Sequence, residues 1–247
     1  MYNCFDHHRA IDTWPKWVIQ DCRLSFSKFL TSIVTNANIV YSNLDHFNGY
    51  RDKTVLLIGG GPSSNDLNYD AIERDFTWSC NHFYLNPVIN KMKIDVAMLM
   101  GEPDLTSKEF VDYRNEFEPY LGFEVHDKWF DYEFDNYQKY FVMHTRFYAK
   151  LGVGVRMLLF AASLGCKNIK FAGLDGYRSV YVGEHAFEPG KKVLPSNFNE
   201  RSFDNQYQFF WRYTLGLFPN VEFENLGYRN THHGPIDKGD IDERFYL

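Results

Sequence analysis

The chain has 247 residues, 45% hydrophobic and 18% aromatic, with a net charge of -6. That length suits one domain with a substantial core and an inserted lid, and the apolar content excludes a disordered chain. The acidic balance argues against strong nonspecific binding to duplex DNA, no apolar run is long enough to span a bilayer, and Met1–Ala10 lacks the apolar stretch of a signal peptide, so a cytoplasmic protein is expected.

Residues 1–50 read as an N-terminal helical extension, in which Trp17, Val18, Phe29, Leu30, Ile33 and Val34 mark one apolar face. Asn48–Gly49 is a turn signal, and 51–247 read as the main domain. Val55–Leu56–Leu57–Ile58 is a wholly apolar run, suited to a strand buried on both faces. It runs straight into Gly59–Gly60–Gly61–Pro62–Ser63. Ala71–Arg74 is expected to be helical, Phe76–Cys80 a second strand and Asp95–Met100 a third. Residues 106–148 are charged and aromatic and place helices only loosely. Val155, Leu158, Leu159 and Ala162 recur at helical spacing, and Gly165 ends that helix. Asn168–Gly173 is the next strand. Residues 178–202, with Gly183, Pro189, Gly190 and Pro195, have the composition of a long loop that acts as a lid. Phe203, Tyr207, Phe210, Trp211 and Thr214 trace another helix, broken at Pro219–Asn220, and Val221–Phe223 is a last strand before Asn225–Gly227 and a polar tail. Strands alternating with helices predict an α/β fold, a Rossmann-like, mostly parallel sheet flanked by helices.

A buried strand that ends in glycines presents bare backbone N–H groups at the sheet's carboxyl edge, where they can cradle phosphate. Open α/β sheets bind ligands at that edge. A tight chain reversal is the other use of such glycines. The run is not a Walker A loop, since no Gly-Lys-Ser/Thr follows. It is a poor dinucleotide fingerprint too: Ser64 stands where a third glycine is needed, and the stretch about 20 residues on reads Ser79–Cys80–Asn81 with no acid for a ribose. The cysteines, Cys4, Cys22, Cys80 and Cys166, form no Cys-x-x-Cys pair, so reduced thiols are expected and a zinc site is not.

Ile58–Gly59–Gly60–Gly61–Pro62–Ser63, followed by Cys80–Asn81–His82–Phe83–Tyr84, resembles the opening of the bacterial sialyltransferases of glycosyltransferase family 42, with Gly-Asn-Gly-Pro-Ser and then Cys-Asn-x-Phe-Tyr at similar spacing. Gly154, the helix to Gly165 and Ala172–Gly173–Leu174–Asp175–Gly176–Tyr177 resemble a second family block. The motility-associated glycosyltransferases and a pterin pyrophosphokinase-like group share the first opening. The likeness covers about residues 53–226. It implies a GT-A-like variant of the Rossmann sheet, a lid, and metal-independent transfer from a nucleotide sugar, with no cofactor. By position, the resemblance gives Asn81 a nucleotide contact, Tyr177 and Tyr181 the phosphate, and Lys150 the place of a catalytic-site Arg. Gly60 replaces the family's loop Asn, Glu102 stands where it has another Asn, and Asn199–Asp204 occupies the place of its general-base His. The donor sugar is left open by these departures.

Glycosyl transfer needs a base for the acceptor hydroxyl and donors or positive charge for the leaving phosphate. His185 is the histidine of the lid and titrates near neutrality; Asp204 and Glu102 are the alternative bases. Leaving-group stabilisation falls to the loop amides, Tyr177 and Lys150, with Gly154 and Asp175 completing the expected donor site. Asp240–Ile241–Asp242 matches a metal-binding Asp-x-Asp pair but sits in the polar tail, and His7–His8 and His232–His233 lack an acidic partner at ligand spacing. Lys150 and Arg156 also read as helix-surface charges. The competing functions are a pterin-type pyrophosphokinase using ATP and Mg²⁺, and a noncatalytic nucleotide-binding protein. The acceptor (glycan, protein hydroxyl or modified nucleobase) and assembly into a homo-oligomer are left open.

Overall fold

The computed structural model describes residues 41–99, 104–124, 137, 139–143, 153–174, 186, 218–227 and 234–235. Among the described residues eight strands lie in chain order: β1 (Thr54–Ile58), β2 (Phe76–Cys80), β3 (Val96–Leu99), β4 (Tyr120–Glu124), β5 (Tyr140–Met143), β6 (Asn168–Ala172), β7 (Glu222–Asn225) and β8 (Gly234–Pro235). They form one sheet in the order β5-β4-β3-β2-β1-β6-β7-β8. Strands β1 to β7 are mutually parallel, and β8 pairs antiparallel with β7. This is the expected α/β class.

The centre of the sheet follows from the apolar run. Val55, Leu56, Leu57 and Ile58 are each 0% exposed, and burial of each such side chain contributes about 1.5–3 kcal/mol. Leu57 sits in register with Trp78 on one side and Phe171 on the other. Strand β1 is also where the sheet changes its direction of growth. Strands β2 to β5 were added on one flank and β6 to β8 on the other, which makes the β1/β6 carboxyl ends the topological switch point.

Alternation sends neighbouring side chains to opposite faces. Leu56 and Ile58 join Tyr69, Phe83, Tyr84, Phe110, Tyr113, Leu121 and Phe123 in one core, beneath helix α1 (Lys108–Phe117). Ser107 caps α1 by accepting the Phe110 N–H. The opposite face carries helix α2 (Val153–Ser163) and the 3₁₀ segment Tyr41–Tyr50. There Phe160 lies 5.2 Å from Phe47 and 5.4 Å from Trp78, centroid to centroid. Phe47 and Tyr50 are 2% and 1% exposed, so the segment contributes directly to the core.

Several elements differ from expectation. Ala71–Arg74 is not a helix: a 3₁₀ turn over Tyr69–Ala71 stops there and Ile72 is extended. The Arg74 guanidinium explains this, donating to the carbonyls of Tyr69 and Ile72 that a continuing helix would need. Residues 106–148 contain β4 and β5 as well as α1. Strand β7 begins and ends later than expected, so Asn225 belongs to the strand. The helices expected around Trp17–Val34 and Phe203–Thr214 lie outside the described residues, as does all of the expected lid except Ala186.

Candidate active site

The switch point is built by backbone meeting backbone. Leaving β1, Gly59 donates its N–H to Ala172 O (2.8 Å) and Gly61 donates to Gly173 O (2.8 Å). In return Gly173 N–H donates to Ser63 Oγ (2.9 Å). A Cβ on Gly59 would stand 2.4 Å from Gly173 O, and one on Gly173 would stand 2.4 Å from Gly59 O. Gly173 also has φ +69, a left-handed conformation that glycine adopts without penalty. Leu174 fills the space beside them: its Cδ2 would lie 2.6 Å from a Cβ on Gly59 and 2.2 Å from one on Gly154, at the start of α2. Glycines 59, 154 and 173 therefore converge on one point, although about a hundred residues separate the first from the other two.

This arrangement changes what the loop offers a ligand. The amides of Gly59 and Gly61 already have carbonyl partners, and Pro62 has no N–H. Burial pushes the Cys80 thiol up to about 12, opposed by a hydrogen bond from the Gly60 main chain. Ser63 and Ser64 are fully buried, and Ser64 Oγ donates to Gly61 O (2.8 Å). A phosphate at this edge must draw on groups other than the Gly59 and Gly61 amides. The glycines themselves have a packing reason, the close approach of β1 to β6.

Two further strand ends border the same edge. Asn81 follows β2 with φ +51 and donates its N–H to Met98 O (3.0 Å); asparagine is among the few side chains that accept this conformation readily. Beyond β6, Leu226 N–H donates to Phe171 O (2.8 Å) and Asn225 Oδ1 accepts the Gly227 N–H (2.9 Å). A Cβ on Gly227 would stand 2.7 Å from Ser63 Oγ. The chain after β7 thus lies directly against the glycine loop. Ala186, from the expected lid, donates its N–H to Gly60 O (2.9 Å).

The structure brings Gly59–Ser63, Asn81 and Gly154 to one edge of the sheet. Glu102, Lys150, Asp175, Tyr177, Tyr181, His185 and Asp204 lie outside the described residues, as do Asp240–Asp242 and both histidine pairs. Among the described residues no group of three His, Cys, Asp or Glu side chains could hold a metal ion, and no helix is long and apolar enough to cross a membrane. Arg156 corrects the expectation of a surface charge: it is 1% exposed, in the first turn and a half of α2. A guanidinium removed from water to that degree needs compensating partners. The signal is present in the sequence, because Val153–Ala162 carries no polar side chain other than Arg156 and a helix that is apolar all round leaves no surface face for a charge.

The fold has solved counterparts. The chain has a sialyltransferase-like fold. It superposes on the sialyltransferase CstII from Campylobacter jejuni, in complex with the substrate analogue cytidine-5'-monophosphate, with a TM-score of 0.51 over 76% of this chain and 86% of that one, at 16% identity. A CstII variant in complex with CMP gives 0.52, over 74% and 85%, at 15% identity. The monofunctional alpha-2,3-sialyltransferase Cst-I from Campylobacter jejuni gives 0.51, over 79% and 81%, at 18% identity. Compared by sequence, the chain matches no protein-family model and no curated protein. At such identities the likeness speaks for the fold alone.

Proposed function

We propose that this protein is a cytoplasmic glycosyltransferase that moves a sugar from a nucleotide-sugar donor to an acceptor hydroxyl without a metal. The observation that carries the reading is the β1/β6 switch point, where the exits of β1, β2, β6 and β7 and the start of α2 meet around Gly59, Gly154, Gly173 and Asn81. Ligands of open α/β sheets bind at such a crevice. The fold it shares with sialyltransferases, two of them holding CMP, supports the same reading.

In this proposal the donor's nucleotide lies along Asn81 and the glycine loop. Since the Gly59 and Gly61 amides are occupied, the leaving phosphate relies on Tyr177, Tyr181 and Lys150. His185 takes the acceptor proton, with Asp204 and Glu102 as the other carriers of that role. The chain neighbour of His185 is held on Gly60, which supports its selection. The donor sugar, the acceptor and any homo-oligomer are separate questions.

A thermal-shift screen with CMP, UDP and their sugar conjugates tests the proposal. A ligand at 100 times its Kd stabilises the native state by about 2.7 kcal/mol. A shift with a nucleotide sugar, followed by metal-independent release of nucleotide that Lys150→Ala and His185→Ala reduce by about 100-fold or more, is the expected result. No shift with any of these ligands overturns it, and strict dependence on ATP and Mg²⁺ moves the assignment to pyrophosphoryl transfer.

A further inference from the structure

Strand β2 delivers a histidine to the switch-point edge. In Cys80–Asn81–His82–Phe83–Tyr84 the third residue falls at the variable position of the Cys-Asn-x-Phe-Tyr pattern, so no likeness gives it a role. The structure fixes it from both sides. Before it, Cys80 is buried and takes a hydrogen bond from the Gly60 main chain, and Asn81 turns the chain through a left-handed conformation. After it, Phe83 and Tyr84 are buried in the core shared with Leu56 and Ile58, and His82 O accepts the Leu85 N–H at 2.9 Å. His82 itself is half-buried. A side chain between such anchors is held in place, as a binding group must be.

Its ring lies 6.3 Å from the Tyr84 ring, centroid to centroid. The Tyr84 hydroxyl donates to Asp104 O (3.4 Å) and bonds with Ser107, the cap of α1. Helix α1 follows β3 and precedes β4, and both run parallel with β1, so its first turn lies at the carboxyl edge of the sheet. The imidazole therefore stands at that edge, on the strand next to the glycine loop. A phosphate placed there is short of donors. The Gly59 and Gly61 amides are bonded to Ala172 O and Gly173 O, and Pro62 has no N–H. Among the described residues at the exits of β1, β2, β6 and β7, His82 is the one basic side chain. Lys108, in the first turn of α1, is paired with Asp112. Asp104 and Glu109 in the same region are exposed and screened by water.

We propose that His82 is a phosphate-contacting residue, donating a ring N–H to the phosphate of a nucleotide bound at the switch-point edge. Imidazole carries such an N–H whether neutral or protonated. With a nucleotide sugar, the bond between the sugar carbon and the phosphate oxygen breaks and its electron pair stays on that oxygen. His82 then joins the groups that stabilise the departing charge, a step that rests on the glycosyltransferase reading.

The probe is the ring resonance of His82 in histidine-labelled protein, one of nine histidines and assigned by its loss in His82→Gln. Inorganic phosphate, CMP and UDP are titrated in turn, with cytidine and uridine as the same ligands without phosphate. CMP or UDP should move the resonance, and the nucleosides should leave it in place. His82→Leu should weaken nucleotide binding by about tenfold or more, on the scale of one hydrogen bond to a charged group. It should leave nucleoside binding unchanged, a split that a merely structural role would not produce. His82→Gln keeps an N–H donor and should retain part of the affinity. Release of nucleotide from a nucleotide sugar should slow by about tenfold or more in His82→Leu. If no phosphate-bearing ligand moves the resonance, or if His82→Leu weakens nucleotide and nucleoside alike, the contact is overturned. If phosphate-bearing ligands move it while the wild type releases nucleotide from no nucleotide sugar, the phosphate site stands and the glycosyltransferase reading fails instead.

Discussion

The two ends of the central strands are held by different physics. At the end where β2 and β4 begin, aromatic side chains do the holding: Tyr50 stacks on Phe76 at 3.9 Å and His46 on Tyr120 at 3.7 Å. Behind them, Phe47 packs edge-on against Trp78, Phe141 and Phe160. At the end where β1 and β6 finish, main chains touch directly and leave no room for a Cβ at Gly59 or Gly173, while the Leu174 side chain fills the space beside Gly154. Side-chain packing can adjust to a replacement, whereas two carbonyl-lined backbones cannot move apart without losing the hydrogen bonds that join them. The aromatic end anchors the sheet; the glycine end fixes the positions of loops from four strands, as a binding edge needs.

The sharpest way to break this contrast is to add one methyl group at the glycine end. Gly173→Ala places a Cβ 2.4 Å from Gly59 O at a residue with φ +69. Steric overpacking and left-handed strain together should cost about 2–5 kcal/mol in urea unfolding. A cost within about 1 kcal/mol would show that β1 and β6 can separate freely, and the contrast would fail. At the other end, Phe47→Leu removes an aromatic ring from the core yet keeps an apolar side chain of comparable bulk. It should cost only about 1–1.5 kcal/mol. If it destabilised as much as Gly173→Ala, side-chain packing would be no more forgiving than backbone contact.

The same contrast explains what was legible in the sequence. Strands β1 and β3 are visible as continuous apolar runs and β2 and β6 as short segments in which apolar and polar residues alternate. Strands β4 and β5 were hidden. Gly122 interrupts β4, and its reason lies 19 residues away, where the Phe141 ring would come within 2.6 Å of a Cβ. Strand β8 has two residues and depends wholly on its pairing with β7. The glycine loop was found for its chemistry, yet its hydrogen bonds run to Ala172 and Gly173, which no local pattern reveals. Gly154 and Asn81 were located by resemblance. Leu174 supplies the steric reason for Gly154, and a left-handed backbone supplies one for Asn81.

The smallest expected effect is at the aromatic end and depends on pH. The outer edge of His46 meets solvent while one ring face is covered by Tyr120, with the planes 17° apart. Burial lowers its pKa; Asp95 partly opposes this, and Lys139 and Lys93 reinforce it. A histidine with a lowered folded pKa binds its proton more readily when unfolded. Stability is therefore complete above the ordinary histidine value of about 6.5 and declines as pH falls through the window below it. His46→Phe keeps an aromatic stack and removes the proton. Between pH 7 and 5 its melting temperature should fall less steeply than that of the wild type, the difference reporting His46 alone because other titrating groups are common to both. Equal slopes would mean that the Tyr120 contact does not discriminate between charged and neutral imidazole. A wild type that gained stability relative to His46→Phe on acidification would mean that Asp95 outweighs burial, and the aromatic end would then be held partly by charge.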